Sequence, residues 1–202
     1  PVDMTCCMEI AHKNDLLVIE DTCESMGASW DSKKLGSFGL ASSFSTYFSH
    51  HICTLEGGLV SSDDSDLTNV MQSVRSHGWA RHLPSDAQVF KDNPCIDPAF
   101  LFDTIGFNLR LSEPQAAMGI DQLTKLDVFV NARRRIGLLY QKLFSDSPHH
   151  LSTQIYSDKA YHSYFGMPLL LPDCFDFKAT SDLRSFLRTR NIESRPFLAG
   201  DF

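Results

Sequence analysis

Residues 16–20 read Leu-Leu-Val-Ile-Glu and lead directly into Asp21. A short, continuous apolar run of this kind is the pattern of a strand buried on both faces of a parallel sheet. Parallel strands need crossover connections, so the run commits the chain to a mixed α/β architecture. It also sets Asp21 at the carboxyl end of a strand, where α/β sheets collect their ligands.

The surrounding pattern agrees with that class. Met4 to Lys13 reads as a short helix, and Asp31 to Gly36 as a turn-rich loop. Strands are expected at about 43–48 and 58–62, then a helix at 63–76 with Asp63 and Asp64 available as N-cap. Residues 80–104 read as irregular, because Pro84, Pro94 and Pro98 interrupt any helical period. Ser112 caps a long helix with Pro114 in its first turn, and apolar residues recur at 116, 117, 120, 123, 126, 129 and 130. Arg133, Arg134 and Arg135 read as a solvated face, Gly137 as a kink, and Pro148 as the end of this region. A strand near 161–171, a helix from Thr180 to Arg190 and a strand-like stretch at 191–197 complete a smaller α/β unit. The domain division is placed inside the long helix, giving residues 1–125 and 126–202.

Bulk properties narrow the function. The 202 residues are 43% hydrophobic and 21% charged, as expected of an ordinary globular protein. A net charge of −7 without a basic run argues against a nucleic-acid footprint. No stretch of about 18 apolar residues is present, so no membrane span is expected. The six cysteines form no C-x-x-C pair, which argues against a zinc ribbon or a thioredoxin-type site and for reduced thiols in the cytoplasm.

Five segments concentrate chemically useful side chains. Val18 to Ser25 (VIEDTCES) carries Asp21 and Glu24, with helix capping the plain alternative for Asp21. Phe44 to Gly58 (FSTYFSHHICTLEGG) carries Ser45, His50 and Glu56. His51, beside it, suits an imidazole that is either exposed or satisfied in the core, and no carboxylate nearby completes a metal site. Adjacent histidines on an extended segment would point to opposite sides. Arg75 to Arg81 (RSHGWAR) offers His77 and Arg81 to a phosphate, although His77-Gly78 could equally close a helix. Gly106 to Ala117 (GFNLRLSEPQAA) carries Asn108 and Arg110, and Ile192 to Pro196 (IESRP) carries Arg195.

In order and spacing these segments resemble the DegT/DnrJ/EryC1/StrS family of sugar aminotransferases, which use pyridoxal phosphate. The resemblance implies fold type I of the pyridoxal-phosphate-dependent transferases, the aspartate aminotransferase-like α/β fold. The chain would supply the second half of the large cofactor domain and part of the small domain. Family members are considerably longer, so the resemblance also implies a middle-to-late portion of such a protein. Asp21 would hold the cofactor ring nitrogen, Glu24 would lie near the ring hydroxyl, and Ser45 would bind the phosphate. Asn108 would reach across a homodimer interface to the partner's cofactor phosphate. His77, Arg81, Arg110 and Arg195 would face the substrate. Phe107 replaces the family's common tyrosine and lacks its hydroxyl.

One position departs from the family in a way that changes the chemistry. The family's cofactor-binding lysine lies six residues before the glutamate of its EGG motif, and six before Glu56 is His50. An imidazole forms no stable imine with the cofactor, yet it exchanges protons near neutral pH. The histidine-bearing branch of the family implies C3 dehydration of a nucleotide-linked 4-keto-6-deoxyhexose, using pyridoxamine phosphate replenished from glutamate. The expected setting is deoxysugar synthesis for a surface glycan such as lipopolysaccharide O-antigen. A second histidine-bearing branch carries a [2Fe–2S] cluster on cysteines after HGW. Residues 80–104 hold only Cys95, so no cluster is expected. Alternatives are a sugar 4-aminotransferase, which would need Lys33 or Lys34, and an inactive partner homologue.

Overall fold

The computed structural model describes residues 1–146, 151–154, 156–172, 174 and 176–196. Pro148 and the last residue of the expected 191–197 stretch lie outside them. Two compact units are present: Pro1–Asn131 with Asp158–Phe165, and Ala132–Ser157 with Gly166–Phe202. The chain thus divides six residues beyond the expected position, and residues 158–165 return to the first unit.

In the first unit, helix α1 (Met4–Lys13) starts at Asp3, whose carboxylate accepts the Cys6 N–H at 2.9 Å. Strand β1 (Ile19–Asp21) pairs in parallel with β4 (Ala41–Ser45), which pairs antiparallel with β5 (Gly58–Ser61), giving the order β1-β4-β5. A second small sheet joins β2 (Ser29–Trp30) to β3 (Lys33–Lys34) and to β6 (Ala160–Tyr161), all antiparallel. Trp30 is buried, and its indole N–H donates to Thr5 Oγ1 at 2.9 Å, which ties this sheet to α1.

The expectation of a strand buried on both faces is corrected here. β1 is three residues long and lies at an edge of its sheet, so Leu17 and Ile19 are 80% and 73% exposed. The buried position is the carboxylate Glu20, 7% exposed. Its Oε1 accepts the N–H groups of Phe38 and Gly39 at 2.6 and 2.8 Å, and its Oε2 accepts that of Gly36 at 2.7 Å. Three charge-assisted bonds make burial of the charge tolerable and fix the crossover from β1 to β4. Replacing Glu20 by alanine strands three amides. We expect a loss of about 3 kcal/mol, read as a lower denaturant midpoint. An unmoved midpoint would refute this account of the crossover.

Helix α2 (Ser65–Val74) is capped by Asp64, which accepts the Leu67 N–H at 2.9 Å. The 80–104 region is less irregular than its prolines suggest. It holds single 3-10 turns at Ala80–His82 and Pro98–Phe100 and the short helix α3 (Gln88–Asp92). Asp97 explains the second turn, with Pro98 in its first position and the Ala99 N–H on its carboxylate. The single long helix expected after Ser112 is two, α4 (Glu113–Leu123) and α5 (Leu126–Ser145). Thr124 Oγ1 donates to the Asp121 carbonyl at 2.7 Å, a local bond that competes with helix continuation. Gly137 lies within α5, which continues through it.

In the second unit, α6 spans Phe177–Thr189 and begins three residues before Thr180. The cap is Asp176, which accepts the Ala179 N–H at 2.7 Å, while Thr180 donates its hydroxyl back to the Asp176 carbonyl. The strand expected at 161–171 reduces to β6 in the first unit and a single bridge between Ser152 and Leu170 in the second. No strand forms over 191–196. Among the described residues no helix is long and apolar enough to cross a membrane. All six cysteines are free thiols.

Candidate active site

Asp21 ends β1 on an exposed turn, and its Oδ1 accepts the Cys23 N–H at 3.1 Å and the Ser43 hydroxyl at 3.2 Å. The bond from Ser43 follows from the parallel register, which sets Asp21 beside it on β4, and that from Cys23 is local to the turn. The hydrogen bonds from Cys23 hold the Asp21 carboxyl below its ordinary range, with smaller help from Ser43 and from positive charge on His50. The Cys23 thiol, half-buried and next to that carboxylate, is pushed up by burial first and by Asp21 second.

His50 lies on the loop between β4 and β5. The antiparallel pairing continues past the strands, with Thr46 N–H on the Gly57 carbonyl and Phe48 N–H on that of Leu55. The tip then folds into a turn in which the His50 N–H donates to the Tyr47 carbonyl at 2.9 Å. The segment is therefore not extended, contrary to expectation, and the two histidines part by turning. His51 is 3% exposed with Nε2 at 3.2 Å from the Ser163 carbonyl. His50 is half-buried, with Nδ1 at 2.6 Å from the Cys23 carbonyl. Its ring lies 4.9 Å from that of Phe165 and 6.1 Å, edge-on, from that of Tyr47.

Asp21 and His50 are thus brought together through a single residue, Cys23. Ser45 ends β4 nearby, half-buried, its Oγ accepting the Tyr47 N–H at 3.2 Å. Glu24 is exposed on the turn after Asp21. Sequence reasoning missed Cys23 and Phe165. Nothing local marks Phe165, because it enters from the returning 158–165 segment; Cys23 meets His50 through its backbone carbonyl, which no residue type reports.

A second group gathers His77, Arg81, Asn108 and Arg110. His77 and Gly78 have φ of +64° and +82° and close α2, with the Gly78 N–H on the Ser73 carbonyl at 2.9 Å. The capping role considered for them is therefore real. It also fixes the site, since the His77 N–H bonds the Phe107 carbonyl at 2.8 Å and Ser76 bridges Asn108. Arg110 reaches the Asn108 amide oxygen at 3.3 Å and His77 Nε2 at 3.5 Å. Arg81 lies 3.4 Å above the Trp79 ring, which stacks on Phe102. The His82 pKa is lowered by burial, then by the charges of Arg81 and Arg75, a sign of concentrated positive charge here. Arg195 is in the second unit.

A methyl group at Gly78 would sit 1.7 Å from the Thr104 carbonyl oxygen. Gly78→Ala combines that clash with an unfavourable positive φ, and we expect it to cost more than about 2 kcal/mol. Thermal unfolding of the variant checks this, and a melting point equal to the parent's would disprove the packing described.

The start of α4 is anchored to the His50 loop. Ser112 and Gln115 form a capping box, and the Gln115 amide donates to the Glu56 carbonyl at 2.7 Å. Lys33 and Lys34, the lysines an aminotransferase would need, both lie exposed on β3, and Lys33 covers the Phe38 ring at 4.5 Å. Among the described residues no group of three His, Cys, Asp or Glu is arranged to hold a metal.

The architecture is that of the α/β pyridoxal-phosphate-dependent enzymes of aminotransferase type. Within that class the chain belongs to the DegT/DnrJ/EryC1/StrS aminotransferase family, whose model matches residues 1–200. It is 36% identical over 205 residues to GDP-4-keto-6-deoxy-D-mannose 3-dehydratase of Yersinia pseudotuberculosis, covering 100% of this chain and 51% of that protein. The structure of the E. coli GDP-4-keto-6-deoxy-D-mannose-3-dehydratase with bound hydrated PLP superposes with a TM-score of 0.87 at 34% identity, covering 99% of this chain and 51% of that one. A GDP-4-keto-6-deoxymannose-3-dehydratase with a trapped PLP-glutamate geminal diamine gives 0.86 at 33% identity, over 97% and 50% of the two chains. The chain spans about half the length of these relatives.

The residues present fit such a cofactor. The Cys23 N–H and the Ser43 hydroxyl both donate to Oδ1 of Asp21, and the carboxylate is exposed and held ionised, as a pyridinium partner must be.

Proposed function

We propose that this chain carries the catalytic constellation of a 3-dehydratase acting on a nucleotide-linked 4-keto-6-deoxyhexose with pyridoxamine phosphate. The observation that carries the reading is the imidazole of His50, in the family's lysine position and tethered beside Asp21. When bound, the cofactor supplies an amine for the sugar ketone and a ring that accepts electrons.

The chain's own residues do the rest. Asp21, charged, keeps a hydrogen bond on the ring nitrogen, and Glu24 serves the ring hydroxyl. Ser45 donates to the phosphate, as does Asn108 across a homodimer interface. His50 takes a proton at the reacting carbon and returns one to the departing C3 hydroxyl. His77, Arg81 and Arg110 offer donors to the substrate diphosphate. Glutamate would be the amine donor, and the product class is a 4-keto-3,6-dideoxy sugar nucleotide.

Mixing the protein with pyridoxal phosphate and excess glutamate tests the reading. Loss of the aldehyde absorbance with release of 2-oxoglutarate, and no lysine trapped by borohydride, is expected. A protein lysine reduced onto the cofactor would overturn it and favour an aminotransferase.

A further inference from the structure

The side chain at the centre of the proposed chemistry is held by one of its two nitrogens. Nδ1 of His50 lies 2.6 Å from the Cys23 carbonyl oxygen, across 27 residues of sequence. A carbonyl can only accept, so in the neutral ring the hydrogen belongs on Nδ1 and the lone pair on Nε2. We propose that the backbone of Cys23 is the positioning element that fixes His50 as the Nδ1–H tautomer and makes Nε2 its working nitrogen. The inference rests on the acid/base reading above for what Nε2 does, but not for which nitrogen bears the hydrogen.

The carbonyl is well placed for that task because its turn is fixed on several sides. The Cys23 N–H is held by Asp21 Oδ1 at 3.1 Å. Just before it, the Thr22 N–H and hydroxyl both donate to the Ser43 carbonyl, at 2.9 and 2.5 Å. The Ser25 N–H closes the turn on the Thr22 carbonyl at 3.0 Å. The imidazole is confined as well, with Phe165 tilted against it at 4.9 Å and Tyr47 at its edge. Cys23 therefore sets both partners: its N–H orients the carboxylate and its C=O orients the base.

The proton balance follows from the tautomer. The Nε2 lone pair accepts one proton from a C–H bond, whose electron pair stays behind on the substrate–cofactor side. The ring becomes an imidazolium, still donating from Nδ1 to the carbonyl, which is favoured by its negative end. Release of the same proton from Nε2 to a leaving hydroxyl forms water and restores the Nδ1–H ring. A ring held the other way would present an N–H where a base is required.

Two-bond ¹H–¹⁵N correlation spectra of the protein labelled in histidine, without cofactor and above the imidazole titration range, test this directly. The His50 signals are assigned by their loss in His50→Asn. A pyrrole-type Nδ1 with a pyridine-type Nε2 supports the inference; the reverse pattern, or an even mixture, overturns it. Dehydration assays on the same protein separate the two claims. A Nδ1–H ring in a protein without dehydratase activity sinks the proposed function and leaves the tautomer standing. An Nε2–H ring in an active dehydratase does the opposite.

Discussion

His50→Asn is expected to lower the dehydration rate by about 10²- to 10⁴-fold, the usual contribution of a positioned acid/base group. Asparagine is close to imidazole in size and can still donate to the Cys23 carbonyl, so the fold should survive. The amide takes up no proton at neutral pH, so what disappears is proton transfer alone. Single-turnover rates with the sugar nucleotide would show a reduced kcat with substrate affinity little changed. An unchanged rate would remove His50 from the chemistry. A fall in both binding and rate would instead mean that the side chain is part of the scaffold.

The second large effect is at Asp21. Asp21→Asn keeps an oxygen for Cys23 and Ser43 but loses the negative charge. A charge-assisted bond to the ring nitrogen contributes roughly 1.5–3 kcal/mol, so cofactor affinity should fall by about 10- to 100-fold. The pH dependence has a definite sign. Because Cys23, Ser43 and His50 hold the Asp21 pKa below its ordinary value, the carboxylate is fully charged above the usual carboxylate range. Its contribution is present there and is lost only as the pH falls through the lowered value. Cofactor titration should therefore give a flat affinity from neutral pH through mild acid if this carboxylate alone governs binding. A steep loss already in mild acid would point to another group, with the phosphate the first to consider.

The residues singled out by motif around His50 and around His77 do lie together in the structure. The geometry was less legible in the sequence. The apolar run 16–20 correctly announced a parallel strand ending in Asp21, but its buried residue is Glu20. Burial there is decided by three amides from 36–39, and no local pattern reports a bond formed across that distance. The helix ends show the same limit. Asp64 and Ser112 cap where expected, since capping is a local exchange between a side chain and the next turn. Asp176 displaced Thr180 because both suit the role and only the backbone path chooses. The small second sheet was read only where the strand expected at 161–171 touches β6: its strands are two residues long, too short for any periodicity.

The return of residues 158–165 bears on how the protein is made. His51 is held by Ser163 from 112 positions downstream, Trp30 pairs with Ala160, and Phe165 closes against His50. A ribosome releases the chain from its N-terminal side, so β1, β4 and the His50 loop leave the exit tunnel long before these partners exist. Until residue 165 emerges, the nascent chain must hold the edge of β2 and two imidazoles without their final cover. Contacts so distant in sequence carry a large closure entropy and form late. The cover that Phe165 and Ser163 give the two imidazoles therefore forms after the β1-β4-β5 sheet, and the interval before it closes is when a translating chain of this kind most needs protection from its neighbours.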